Sequence, residues 1–203
     1  RETNSLVFMA SKSCLFTVNK ATGLIEPARF RESPNHDDRP GDEEPSLLII
    51  HGISLPPGQF GGPDVEELFT NRLDWDAHPF FGEIRGLEVS AHLFIRRDGD
   101  VIQFVPLTKR AWHAGPSCFR GRDCCNDYSI GIELEGEDET PYDDRQYAAL
   151  QGVIQAILAA FPAITPREMA GHCDIAPDRK TDPGPAFDWF RLYDGLVDQE
   201  GAP

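Results

Sequence analysis

Basic residues are scarce in this chain: 19 Lys and Arg stand against 34 Asp and Glu, a formal net charge of -15 over 203 residues. That excludes the positive surface on which nonspecific nucleic-acid binding and adhesion to anionic membranes depend. It leaves room for a local basic pocket that holds an anionic ligand. Long apolar runs are missing as well. None approaches the ~18 residues of a membrane span. Residues 1–20 contain only the short run Leu6–Ala10, so no secretory signal is expected. The first residue is Arg1, and Met9 is a candidate natural start. Paired cysteines are absent: Cys14, Cys118, Cys124, Cys125 and Cys173 are odd in number and form no CxxC. This argues against a disulfide framework and a cysteine zinc knuckle. It favours a reduced compartment, so a cytoplasmic location is expected. There is no internal repeat and no low-complexity segment.

What is present is an ordinary globular composition, 40% hydrophobic and 26% charged, at a length that suits one domain with a generous core. Residues 1–30 carry little pattern and are expected to be a peripheral extension, with the domain over residues 31–198 and a tail over 199–203. Arg31–Pro45 reads as loop. Ser46–His51 is a continuous apolar run ending in histidine, as in a strand buried on both faces. Leu55–Pro63 is rich in proline and glycine, and Pro63 opens a short helix with Val65, Leu68 and Phe69. Val89–Arg96, the turn Asp98-Gly99 and Val101–Val105 form a hairpin. Ser129–Glu135 alternates, with Ile130, Ile132 and Leu134 on one face and Gly131, Glu133 and Glu135 on the other, which predicts a half-buried strand. Asp143 or Asp144 caps a helix that runs to Pro162, and Ala186–Leu196 is a shorter aromatic helix. Strands mixed with helices around one hairpin give the expected fold class: α/β, a single domain with a central mixed sheet flanked by helices.

The chemistry concentrates in Gly171–Gly184, which holds one imidazole, one ammonium and three carboxylates. Pro177 and Pro183 prevent a continuous helix or central strand there. The residue before a proline is biased to extended backbone, so Lys180 and Asp182, two apart, point to the same side. His51, at the end of a buried strand, joins His172 and Asp182 as a three-ligand zinc set with one open position. Such a site is net positive and brings a bound water towards a pKa of ~7. A nearby base is then needed, and Glu133 or Glu135 can serve. Lys180 is a candidate to stabilise an oxyanion. Trp112 and His113 look like a pocket wall. Of the other histidines, His36 reads as solvated, His78 as structural, and His92 as a hydrogen-bonded core residue.

The segments LLIIHGISLPPG (47–58), VSAHLFI (89–95), RAWHAG (110–115), CNDYSIGIELEG (125–136) and GHCDIAPDRKTDPG (171–184) together resemble the N-acetylmuramoyl-L-alanine amidases of the peptidoglycan-recognition (Amidase_2) superfamily. Within it they resemble the AmpD type, the cytoplasmic 1,6-anhydro enzymes. The resemblance covers about residues 33–194. It implies zinc ligands at His51, His172 and Asp182, a catalytic glutamate at Glu133, a catalytic lysine at Lys180, and a substrate groove near Trp112 and His113. The AmpD type usually carries Asn where this chain has Gly52, which alters one expected substrate contact. The implied substrate is a (1,6-anhydro-)muramyl peptide, cut between the lactyl group and L-Ala during peptidoglycan recycling. In some bacteria loss of this activity induces β-lactamase. A monomer without nucleic-acid or membrane partners is expected.

Overall fold

The computed structural model describes residues 15–197; the expected tail over 199–203 and residues 1–14 of the expected extension lie outside the described residues. The strands are β1 (Thr17–Asn19), β2 (Leu24–Glu26), β3 (Arg29–Phe30), β4 (His36–Asp37), β5 (Leu47–Ile53), β6 (Leu93–Ile95), β7 (Val101–Gln103), β8 (Arg110–Ala111), β9 (Cys118–Phe119), β10 (Arg122–Asp123), β11 (Ser129–Glu135) and β12 (Met169–Gly171). The helices are α1 (Asp64–Phe69), α2 (Pro79–Glu83), α3 (Asp144–Ala160), the single turn α4 (His172–Ile175) and α5 (Trp189–Val197). A six-stranded sheet runs in the order β12-β5-β11-β6-β7-β3. It is mixed, as expected: β12, β5, β11 and β6 are parallel neighbours, whereas β6 and β7 form the antiparallel hairpin.

Side chains alternate across a strand, and here the alternation separates two kinds of surface. Leu48 and Ile50 of β5 and Ile130, Ile132 and Leu134 of β11 pack in one cluster with Leu150, Ile154 and Ile157 of α3 and Leu192 and Leu196 of α5. Helix α3 starts where the sequence places it. Asp143 accepts from the Arg145 N–H at 2.9 Å, and the Gln146 side chain accepts from the Asp143 N–H at 3.0 Å, a reciprocal cap. Gln146 also donates to the carbonyls of Ile95 and Glu135, tying the helix start to the ends of β6 and β11. The other sheet face carries Phe94 and Ile102 against Leu68, Phe69 and Phe81 of the α1–α2 region.

Three expectations change. Strand β11 is buried along its whole length rather than half-buried, because it is central and covered on both sides. The first hairpin strand pairs only over Leu93–Ile95. Upstream, the Ser90 N–H bonds to the Trp112 carbonyl and the His92 N–H to the Gly131 carbonyl, and one bond to the hairpin partner remains, from the Phe104 N–H to the His92 carbonyl. Finally, residues 15–30 are part of the packed domain and not peripheral. Phe16 and Ile25 are buried in the α3 cluster, and β3 adds to the sheet edge beside β7. Ile25 is 2% exposed, so Ile25→Ala should lower unfolding free energy by about 2–5 kcal/mol, the usual cost of emptying such a site. Denaturant unfolding measures it, and an unchanged midpoint would return the segment to the periphery.

Candidate metal centre

Three adjacent parallel strands end at the same place. His51 lies near the end of β5, Glu133 is its register partner on β11, and Gly171 of β12 pairs with Ile50 and leads directly into His172. Crevices outside the carboxyl ends of such strands are where open α/β sheets bind ligands. The fourth residue, Asp182, arrives on the loop after α4. That loop is fixed by the Cys173 N–H donating to the Asp182 carbonyl at 2.9 Å and by the Tyr142 hydroxyl donating to the Pro183 carbonyl at 2.9 Å, while the Asp174 carboxylate, accepting from the Gly171 N–H at 2.7 Å, caps α4 itself.

The donor atoms converge closely. His51 Nδ1 is 3.0 Å from His172 Nδ1, and the Asp182 carboxylate is 3.3 Å from the first and 3.2 Å from the second. His172 is 4% exposed and His51 1%. His172 Nε2 lies 3.1 Å from the Ala114 carbonyl, an acceptor only, so it carries the proton and leaves Nδ1 as a lone pair in the neutral ring. Burial pushes the His51 imidazole down to about 4 despite its contact with Asp182, so that ring is neutral. Burial alone would raise the Asp182 carboxyl, but its contacts with His172 and His51 hold it well below the usual carboxylate range. With the His51 proton on its outer nitrogen, two lone pairs and an anion face one another at these distances, an arrangement that suits a cation between them. Donors about 2.0 Å from a tetrahedral ion stand about 3.3 Å apart, so the triangle fits one.

Glu133 and Glu135, equivalent by strand pattern, differ here. Glu135 is satisfied: it accepts from the Gly61 N–H at 2.5 Å and the Arg97 N–H at 3.0 Å. Glu133 has Oε1 3.9 Å from His51 Nδ1, and its buried Oε2 has no partner. Burial and the Asp182 charge push the Glu133 carboxyl well above its ordinary value, with Lys180 pulling the other way. Glu133, His172, Asp182, Lys180 and His113 border one cleft of about 180 Å³, whose apolar wall is Leu68, Phe69, Leu87 and Val89. A second, larger cleft of about 590 Å³ shares Gly52, Lys180 and Asp182 and adds Glu137, Asp138, Glu139 and Arg179. The contacts at the centre join Asp182 to both histidines and Glu133 to His51, and among the described residues Lys180 is in no ion pair.

The other sequence candidates fall as follows. Gly52 borders both clefts, and its N–H donates to Asp182 at 3.3 Å. A Cβ there would run into the Tyr142 hydroxyl, so the space a side chain would take first is occupied. His113 borders the smaller cleft but is only 8% exposed. Trp112 is half-buried, does not line that cleft, and leaves its indole N–H buried without a partner. His92 is a fully buried core residue, bonded to the Lys109 carbonyl and the Gly131 N–H. His78 caps α2. Two residues were not singled out from sequence: Tyr142, which holds the Asp182 loop, and Ser129, which bonds to His113. Alternation along β11 puts Ser129 on the Glu133 face, but its partner lies on another element.

Parallel strand ends that gather two imidazoles and a carboxylate beside an unpaired buried glutamate have the layout of a metal-dependent hydrolase. The Amidase_2 family model, described as N-acetylmuramoyl-L-alanine amidase, matches residues 41–185. The 1,6-anhydro-N-acetylmuramyl-L-alanine amidase AmpD of Salmonella typhimurium (strain SL1344) is 60% identical over 170 residues, 84% of this chain and 90% of the relative. That of Escherichia coli (strain K12) is 59% identical over 84% of this chain and 92% of its own. A crystal structure of a selenomethionine AmpD derivative superposes with a TM-score of 0.85 at 54% identity, over 88% of this chain and 98% of that one. This chain belongs to the N-acetylmuramoyl-L-alanine amidase family, as its motifs implied, and is an amidase. More distantly, the E. coli amidase AmiD matches at 28% identity and a TM-score of 0.55, over 90% of this chain and 66% of that one; it was solved with anhydro-N-acetylmuramic acid-L-Ala-D-γ-Glu-L-Lys bound.

If His51, His172 and Asp182 hold a divalent metal, His172→Ala and Asp182→Ala should each lose it. Elemental analysis of the purified variants decides this, and stoichiometric metal in both would dissolve the ligand set.

Proposed function

We propose that the chain hydrolyses the amide between the lactyl group of (1,6-anhydro-)N-acetylmuramic acid and L-Ala of the stem peptide in peptidoglycan recycling. In this reading zinc is held by His51, His172 and Asp182, Glu133 is the general base and Lys180 the oxyanion donor. The observation that carries it is the complete donor triangle beside a buried cleft carboxylate, Glu133, with one oxygen unpaired, in a chain whose relatives at about 60% identity are named as amidases of this specificity. Two neutral imidazoles with one carboxylate are a familiar catalytic zinc set. When bound, zinc supplies a Lewis acid that acidifies water and polarises a carbonyl oxygen.

The protein's own residues do the remainder. Glu133 takes a proton from the attacking water and returns it to the leaving nitrogen of L-Ala, so that one carboxylic acid and one amine are released. A carboxylate kept unpaired in a buried site is a stronger base than a solvated one. Lys180, which among the described residues forms no ion pair, donates to the amide oxygen as negative charge develops there. The apolar wall of Leu68, Phe69, Leu87 and Val89 keeps water from one side of the scissile bond. The wider polar cleft leaves room for the peptide or the sugar on the other.

A monomeric, cytoplasmic enzyme completes the proposal. Its support is that the described cysteines are all free and that large exposed apolar residues are scattered, such as Phe30, Phe60 and Phe190. No described helix is long and apolar enough to cross a membrane.

Mass analysis of products tests the reaction. Anhydro-muropeptide should give free anhydro-N-acetylmuramic acid and a peptide beginning with L-Ala. Binding without cleavage would make the chain a recognition module. Within the site, Glu133→Gln should keep metal and fold but lose most turnover, whereas Glu135→Gln should mainly lower the melting temperature. The reverse pattern would exchange their roles. Lys180→Ala should reduce kcat by roughly 10²–10³, the usual effect of removing one oxyanion donor, with little change in metal content. A lowered melting point at near-normal kcat would make Lys180 structural.

A further inference from the structure

Behind the metal-facing atoms runs a row of buried polar groups. His51 turns Nδ1 towards Asp182 and His172, and its opposite nitrogen, Nε2, lies 2.8 Å from Nδ1 of His113. The two rings meet edge to face at 88°. His113 Nε2 in turn lies 3.0 Å from the hydroxyl oxygen of Ser129, which has no exposed surface. The backbone under His113 is pinned too, since its N–H and that of Ala114 both donate to Asn126 Oδ1, at 3.1 and 2.8 Å.

Strand β11 is shaped for this row. Ser129, Gly131 and Glu133 share one face. A Cβ at Gly131 would collide with the His113 ring. Glycine at that one position lets the imidazole lie flat over the strand between the hydroxyl that receives its proton and the carboxylate of the cleft.

Proton positions then follow from one end. With Nδ1 of His51 given to a cation, its proton sits on Nε2 and is donated to His113 Nδ1. His113 must therefore carry its own proton on Nε2, and donates it to Ser129. Each ring has one donor and one acceptor, and the row uses both without a remainder.

We propose that His113 and Ser129 are positioning residues that fix the tautomer and orientation of His51, so that His113 acts on metal affinity and not as the substrate contact its motif suggests. This rests on the reading of the triangle as a zinc site. Partners of this kind on a ligand imidazole are typically worth 10- to 100-fold in metal affinity.

The test compares the unsubstituted protein with Ser129→Ala, which leaves the cleft untouched, with His113→Phe, which keeps a ring but no nitrogens, and with His113→Gln, which restores a donor and an acceptor. Chelator competition gives the zinc dissociation constant, the visible spectrum of the cobalt-substituted protein reports ligand orientation, and melting of the metal-free protein reports structure alone. Ser129→Ala should weaken zinc about tenfold and His113→Phe up to about 100-fold, with a shifted cobalt spectrum and partial recovery in His113→Gln. Metal-free melting and the KM of the loaded Ser129→Ala variant should stay near the original. Unchanged zinc affinity and cobalt spectrum in both variants would overturn the inference, and a raised KM at unchanged affinity would make His113 a substrate contact instead. If the unsubstituted protein binds no zinc, the metal reading itself falls and this one with it, a failure visible before any variant is made.

Discussion

Two imidazole lone pairs and a carboxylate, facing one another at 3.0–3.3 Å in a buried site, repel unless positive charge lies between them. Much of the molecule around the cleft can be understood as holding that arrangement. The Ala114 carbonyl takes the outer nitrogen of His172, and His113 takes that of His51. Both inner nitrogens are therefore turned to the same point. Asp182 is brought in by bonds from its own loop to α4, to β5 through the Gly52 N–H, and to the Tyr142 hydroxyl. An isolated loop would relax away from such a cluster. This one is tied to rigid elements on three sides.

The sheet divides its two faces between stability and chemistry. One face of β5 and β11 is aliphatic and locked against α3. The other face of β11 is polar and still buried, a costly placement that is tolerable only where each group finds a partner. Ser129 has His113, and Glu135 has two backbone N–H groups. Glu133 Oε2 is the exception on this face. Glu133 thus keeps free hydrogen-bonding capacity at the cleft, beside the triangle of His51, His172 and Asp182. The same asymmetry separates two glutamates that strand alternation treats as equals.

Space at the edge of the cleft is committed as well. The Tyr142 hydroxyl fills the volume that a Cβ at Gly52 would need, and it donates to the Pro183 carbonyl. One tyrosine thus both holds the loop that carries Asp182 and closes the position beside Gly52.

Local rules were enough for much of this. A continuous apolar run identified β5, alternation identified β11, Asp98-Gly99 identified the β6–β7 hairpin, and an acidic cap with 3.6-residue periodicity identified α3. Residue chemistry in Gly171–Gly184, joined to His51, was enough to name the three donors that the fold brings together. Each of these depends on neighbours in the chain or on residue type alone. What the tertiary structure decided depends on register and layer. The burial of β11 on both faces follows from its position between β5 and β6, and the edge strand β3 is recruited from a segment with no pattern of its own. His113 lies 62 residues from His51, and His172 lies 121 residues from it. No periodicity reaches that far; the parallel pairing of β12 with β5 brings His172 to His51, and the Asn126 side chain holds the loop that turns His113 onto the same ring.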